Sequence, residues 1–75
     1  MKDLVQFIAY CLVDDPEEVS VTEIDGRHYS VIELKVAQDD KGKVIGKQGR
    51  IAEAIRTILS AASAKDKKRS VLEIV

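Results

Sequence analysis

Gly42-Lys43-Val44-Ile45-Gly46-Lys47-Gln48-Gly49-Arg50-Ile51 is the stretch that decides how this chain of 75 residues is read. Two glycines three positions apart, Gly46 and Gly49, separate a short helical segment, Lys41 to Ile45, from a helix that begins at Arg50. Glycine turns sharply and carries no side chain, so the backbone of residues 46–49 can approach an extended anionic ligand closely. The downstream helix starts at this loop. Its first N–H groups lack partners within the helix, and its dipole is positive there, so an anion is favoured. Lys47, Gln48 and Arg50 are expected to approach that anion, with Lys43 nearby. Val44, Ile45, Ile51 and Val36 are expected to line an apolar groove beside it. Replacing either glycine should damage binding more than stability.

Outward from the loop, the pattern is regular. From Arg50 to about Ser63 the residues Ile51, Ala54, Ile55, Ile58, Leu59 and Ala62 form an apolar stripe, while Glu53, Arg56 and Ser60 face away. Upstream, Gln38-Asp39-Asp40 reads as a turn with a candidate helix N-cap. Tyr29 to Ala37 alternates as a strand, with Ile32, Leu34 and Val36 on one face. Val19 to Ile24 is rich in β-branched residues and reads as a second strand. Asp25-Gly26 supplies the hairpin signal, glycine being the residue that takes positive φ at low cost. The first segment, Lys2 to Val13, is helical, with Leu4, Val5, Ile8, Cys11 and Leu12 on its stripe. It must stop near Asp14-Asp15-Pro16. Lys65 to Arg69 is a basic connection, and Val71 to Val75 closes the chain as a strand. The order is helix, strand, strand, helix, helix, strand. That is α+β, one domain over residues 1–75, with helices on one face of a three-stranded mixed sheet.

Composition excludes several classes. Hydrophobic residues at 45% and charged residues at 33% describe a globular chain. No apolar run approaches the roughly 20 residues that span a bilayer. No apolar h-region follows Met1-Lys2-Asp3, so the expected location is cytoplasmic. One cysteine, Cys11, rules out an internal disulfide, and with His28 as the single histidine there is no Cys/His zinc set. Cys11 reads as a core residue on its stripe. No base, nucleophile and metal come together as an enzyme requires. Gly42 and Gly46 are one residue too close for a Walker phosphate loop, and Gln48 stands where that loop has a hydroxyl. The formal net charge is −1, but it is unevenly distributed. Residues 1–40 hold three basic and ten acidic residues, whereas residues 41–75 hold nine and three. Such a split points to an anionic partner for the second half more than the net value does.

The run Val44-Ile45-Gly46-Lys47-Gln48-Gly49-Arg50-Ile51 resembles the I-G-x-x-G signature of the KH domain. The helix-first order αββααβ resembles its type II arrangement. The likeness covers the whole chain and extends to Ala54-Ile55-Arg56-Thr57, as in the small bacterial RNA-binding proteins made of a single KH domain. The resemblance implies a loop that clamps single-stranded RNA by its backbone, with no cofactor and no catalysis. It implies a post-transcriptional regulator or RNA chaperone that acts as a homodimer, or with a second, larger KH-containing RNA-binding protein linked to cell shape and cell wall synthesis. Only three aromatics are present, which fits recognition in an aliphatic groove better than recognition by aromatic stacking. The alternative is a KH-fold adapter for proteins with little affinity for RNA.

Overall fold

The computed structural model describes residues 1–64 and 69–75. Helix α1 (Lys2–Leu12) ends where Val13 turns to an extended conformation, φ −91° and ψ 157°. Pro16, with its φ already fixed, opens a single 3-10 turn, Pro16–Glu18. Strand β1 (Ser20–Asp25) and strand β2 (Tyr29–Lys35) pair antiparallel. A second 3-10 turn, Gln38–Asp40, leads into α2 (Lys41–Ile45). The glycine loop follows, then α3 (Arg50–Ser63) and strand β3 (Arg69–Ile74). Strand β3 lies parallel to β2 on the side away from β1, so the sheet is mixed and β2 is central. The basic run Lys65 to Arg69 lies, apart from Arg69, outside the described residues.

The alternation of β2 buries Ser30, Ile32 and Leu34 beneath the helices and turns Tyr29, Val31, Glu33 and Lys35 to the open face. Around them close Val5 and Ala9 of α1, Val21 of β1, Val36, Val44 of α2, Ile55 and Leu59 of α3, and Leu72 of β3. This core is wholly aliphatic. Burying a side chain such as Ile32 or Leu59 contributes about 2 kcal/mol. In a domain this small, a few such positions hold most of the net stability.

Both long helices are rotated from the faces their periodicity suggests. In α1 the buried centre is Val5 and Ala9, with Leu4, Ile8 and Leu12 half-buried and Cys11 exposed. The small Ala9 lets the helix approach the sheet, so a weakly hydrophobic residue occupies the centre and the expected core cysteine lies outside. In α3 the buried residues are Ala52, Ile55, Leu59 and Ser63, while Ala54, Ile58 and Ala62 are exposed. The hairpin also departs from expectation. Gly26 does not have positive φ. It is needed because a Cβ there would lie 2.6 Å from the Tyr29 carbonyl oxygen, which accepts a hydrogen bond from the Gly26 N–H.

Candidate nucleic-acid interface

The loop is built from conformations that few residues adopt. Gly46 has φ 78° and ψ 172°, Gln48 has φ 58° and ψ 25°, and Gly49 has φ 73° and ψ 14°. The first pair of angles is essentially glycine-only, and the other two are left-handed. The Gly46 N–H closes α2 on the Gly42 carbonyl at 2.8 Å, and the Gly49 N–H bonds the Gly46 carbonyl at 3.1 Å. The result is a tight turn that delivers the chain directly into α3, whose N-terminus no side chain caps.

The two glycines differ in their surroundings. A Cβ on Gly46 would fall 2.6 Å from Ile51 Cγ1, whereas one on Gly49 would meet nothing within 4 Å. Gly46 is therefore a packing residue as well as a turn residue, so a substitution there costs stability, which the expectation for Gly46 ranked below binding. The open space at Gly49 adjoins the start of α3.

The site residues named from sequence divide into three groups. Lys47, Gln48 and Arg50 are exposed, and the Arg50 guanidinium donates to the Gln48 side-chain oxygen at 3.4 Å. Ile45 is exposed and Ile51 half-buried, so both can offer apolar surface beside the loop. Val36 and Val44 are buried in the core, at 4% and 0% exposure. Buried in the same core cluster as Leu34 and Leu59, they support the surface from beneath and do not line a groove.

Lys43 is also placed otherwise than expected. Its ammonium donates to the Asp14 carboxylate and lies 3.5 Å from Asp40 Oδ1. Hydrogen bonding to Asp14 raises its pKa above the usual lysine value. Asp40 is buried and, instead of capping α2, accepts the N–H groups of Asp14 at 3.3 Å and Asp15 at 3.1 Å. Burial pushes the Asp40 carboxyl up, but those two N–H bonds together with Lys43 outweigh it and hold its pKa below the usual value. This cluster pins the segment after α1 to the helix that carries the loop.

A cleft of about 400 Å³ opens along α3, lined by Glu53, Arg56, Thr57 and Ser60 on the helix and by Arg69, Ser70, Val71 and Leu72 on β3. The Arg56 guanidinium donates to the Leu72 carbonyl at 3.5 Å, bridging the two walls. Residues on a helix advance by about 100°, so α3 presents three faces. One is buried, one faces the cleft, and one, with Ala54, Ile58, Ala61 and Ala62, is exposed and apolar. The cleft wall was missed in sequence because Glu53, Arg56 and Ser60 read as an ordinary solvated face. The only local signal was the excess of Thr and Ser among them.

The family model described as KhpA/KhpB, KH domain, matches residues 2–74. A protein named RNA-binding protein KhpA from Caldanaerobacter subterraneus subsp. tengcongensis is 59% identical over 75 residues, which is 100% of both chains. One of the same name from Clostridium acetobutylicum is 57% identical over the same full span. Another from Aquifex aeolicus is 56% identical over 75 residues, 100% of this chain and 95% of that protein. No solved structure matches the chain.

Proposed function

The chain belongs to the KhpA/KhpB KH-domain family, an RNA-binding and not an enzymatic family, and on that premise we propose that it acts as one KH domain clamping single-stranded RNA at the Gly46 to Gly49 loop. The observation that carries this reading is the loop itself. Its positive φ angles and the open space over Gly49 leave room for a phosphodiester backbone against an uncapped helix N-terminus. Lys47 and Arg50 supply the charge, and Gln48 a neutral donor. Lys43 is left out of the proposed clamp because it is paired with Asp14 and Asp40. The bases then lie in the cleft between α3 and β3. Val71 gives them apolar surface there, while Arg56, Thr57, Ser60 and Ser70 offer hydrogen bonds to their edges, and Ile45 and Ile51 add apolar surface beside the loop.

By resemblance to the family, the proposal extends to a cytoplasmic homodimer, or a heteromer with a larger KH-containing RNA-binding protein, in post-transcriptional control linked to cell shape and cell wall synthesis. The exposed apolar face of α3 supports a second copy. Ala54, Ala61 and Ala62 are small enough for close approach around Ile58, which is 46% exposed. Among the described residues no helix is long and apolar enough to cross a membrane.

The test is amide chemical-shift mapping of the folded protein with a degenerate single-stranded RNA. Shifts concentrated at residues 46–51, 56–57 and 69–72 support the reading. Shifts confined to α1 and β1 would overturn it.

A further inference from the structure

All three aromatics are exposed, and the core uses none of them: Phe7 is 66% exposed, Tyr10 46% and Tyr29 54%. Phe7 and Tyr10 share the outer face of α1, where Gln6 donates to the Tyr10 hydroxyl. Tyr29 is placed differently. It opens β2 on the open face of the sheet, and its register partner on β3 is Arg69. Parallel partners lie on the same face of strands about 4.8 Å apart, so the phenol and the guanidinium are neighbours. The Arg69 N–H also donates to the His28 carbonyl at 3.2 Å, which ties the hairpin loop to the start of β3.

Arg69 also lines the cleft. The cleft has a direction, because α3 starts at the glycine loop and its Arg56 is registered against Leu72. Ser60 lies about 10 Å further from the loop than Glu53, and Arg69 stands at that far end. A strand held at the loop and laid along the cleft therefore arrives at Arg69 and, beyond it, at Tyr29. On the open face Glu33 and Glu73 are register partners about 13 Å along the strands from the Tyr29 and Arg69 row, with Val31 and Val71 between and Lys35 beyond. A polyanion is favoured at Arg69 and disfavoured over the Glu33 and Glu73 row.

We propose that Tyr29 and Arg69 form a stacking subsite for one nucleobase of single-stranded RNA beyond those in the cleft, with the Tyr29 ring beneath the base and Arg69 on the adjoining phosphate. The proposal rests on the clamp reading above. Base-on-aromatic stacking is tolerant of sequence, so the subsite adds affinity and length dependence without adding base preference.

The experiment compares degenerate RNAs of four and seven nucleotides at low salt, on wild type, Tyr29→Ala and Tyr29→Phe, with thermal melts confirming that each variant is folded. Wild type should bind the heptamer roughly tenfold more tightly than the tetramer, in the range of one stacked base. Tyr29→Ala should lose that gain and leave tetramer binding unchanged, and Tyr29→Phe should keep it. The chain has no tryptophan, so a Tyr29→Trp variant reports on this position alone. Its emission should be quenched by the heptamer and not by the tetramer. Equal heptamer affinity for wild type and Tyr29→Ala, with the tetramer bound by both, refutes the subsite alone. If wild type binds neither RNA, the clamp reading fails and the subsite with it. A self-association lost in Tyr29→Ala at unchanged RNA affinity would give the face to a protein partner instead.

Discussion

Gly46 and Gly49 stand three residues apart with nearly the same φ, 78° and 73°, yet they face different surroundings. On the Gly46 side the loop is packed: Ile51 fills the space a Cβ would need, Val44 is fully buried, and Asp40 and Lys43 are tied to the segment after α1. On the Gly49 side the loop is open, with Lys47, Gln48 and Arg50 exposed beside the start of α3. The difference teaches that one motif contains a folding half and an exposed half, the half proposed to face RNA. A substitution should reveal which half it falls in by whether stability and binding fall together or separately.

The largest effect expected is that of Gly46→Ala. It combines a glycine-only conformation with a clash against Ile51, together about 3 kcal/mol. For a domain of this size that lowers Tm by on the order of 15 °C, and RNA binding should fall with it. Gly49→Ala meets open space and carries only the left-handed penalty of about 1 kcal/mol. Its melt should shift by roughly 5 °C while its affinity for RNA drops more than that loss of fold explains. Equal losses of stability in the two variants would remove the distinction between the halves.

Asp40→Asn is next in size. It leaves one of the Asp14 and Asp15 N–H groups without an acceptor and weakens the pairing of Lys43, so stability at neutral pH should fall. The pH dependence has a definite sign. Because the folded pKa of Asp40 lies below the ordinary 3.8, its contribution is complete above that value and disappears as pH falls through the folded pKa. Lys43, with its pKa raised above 10.5, contributes below that value and loses its share as pH rises through the folded pKa. Chemical denaturation of wild type and Asp40→Asn should therefore differ most at neutral pH and converge in acid. A difference that grew as the pH is lowered below 3.8 would show that the carboxylate charge is not what holds the cluster.

Much of this was legible in the sequence, and the failures have a common cause. The element order follows from periodicity punctuated by Pro16, Gly26, Gly46 and Gly49, all local signals. The loop was legible because Gly46 and Gly49 stand inside the longer run Val44 to Ile51 between two helices, whereas two glycines alone would read as an ordinary turn. The rotation of α1 and α3 was not, because Ala9, Ala52 and Ser63 carry little hydrophobic signal and are buried through fit. The pairing of Lys43 with Asp14 joins residues 29 apart, and the wall of the cleft joins α3 to β3. Neither exists before the chain is folded. The smallest effect expected follows from the rotation of α1. Cys11 is exposed, so Cys11→Ser should change stability by no more than about 0.5 kcal/mol. A loss of several times that size would restore it to the core.

The central claim is that the open half of the loop holds RNA, and the most direct test is an anisotropy titration of a short single-stranded RNA at several salt concentrations. It should be run on wild type and on a Lys47→Asp, Gln48→Asp variant whose melt matches wild type. The account predicts that wild-type affinity falls with salt with a slope of about 0.7 per phosphate neutralised, and that the variant binds at least tenfold more weakly with a shallower slope. Equal affinity and equal slope in the two proteins would contradict it.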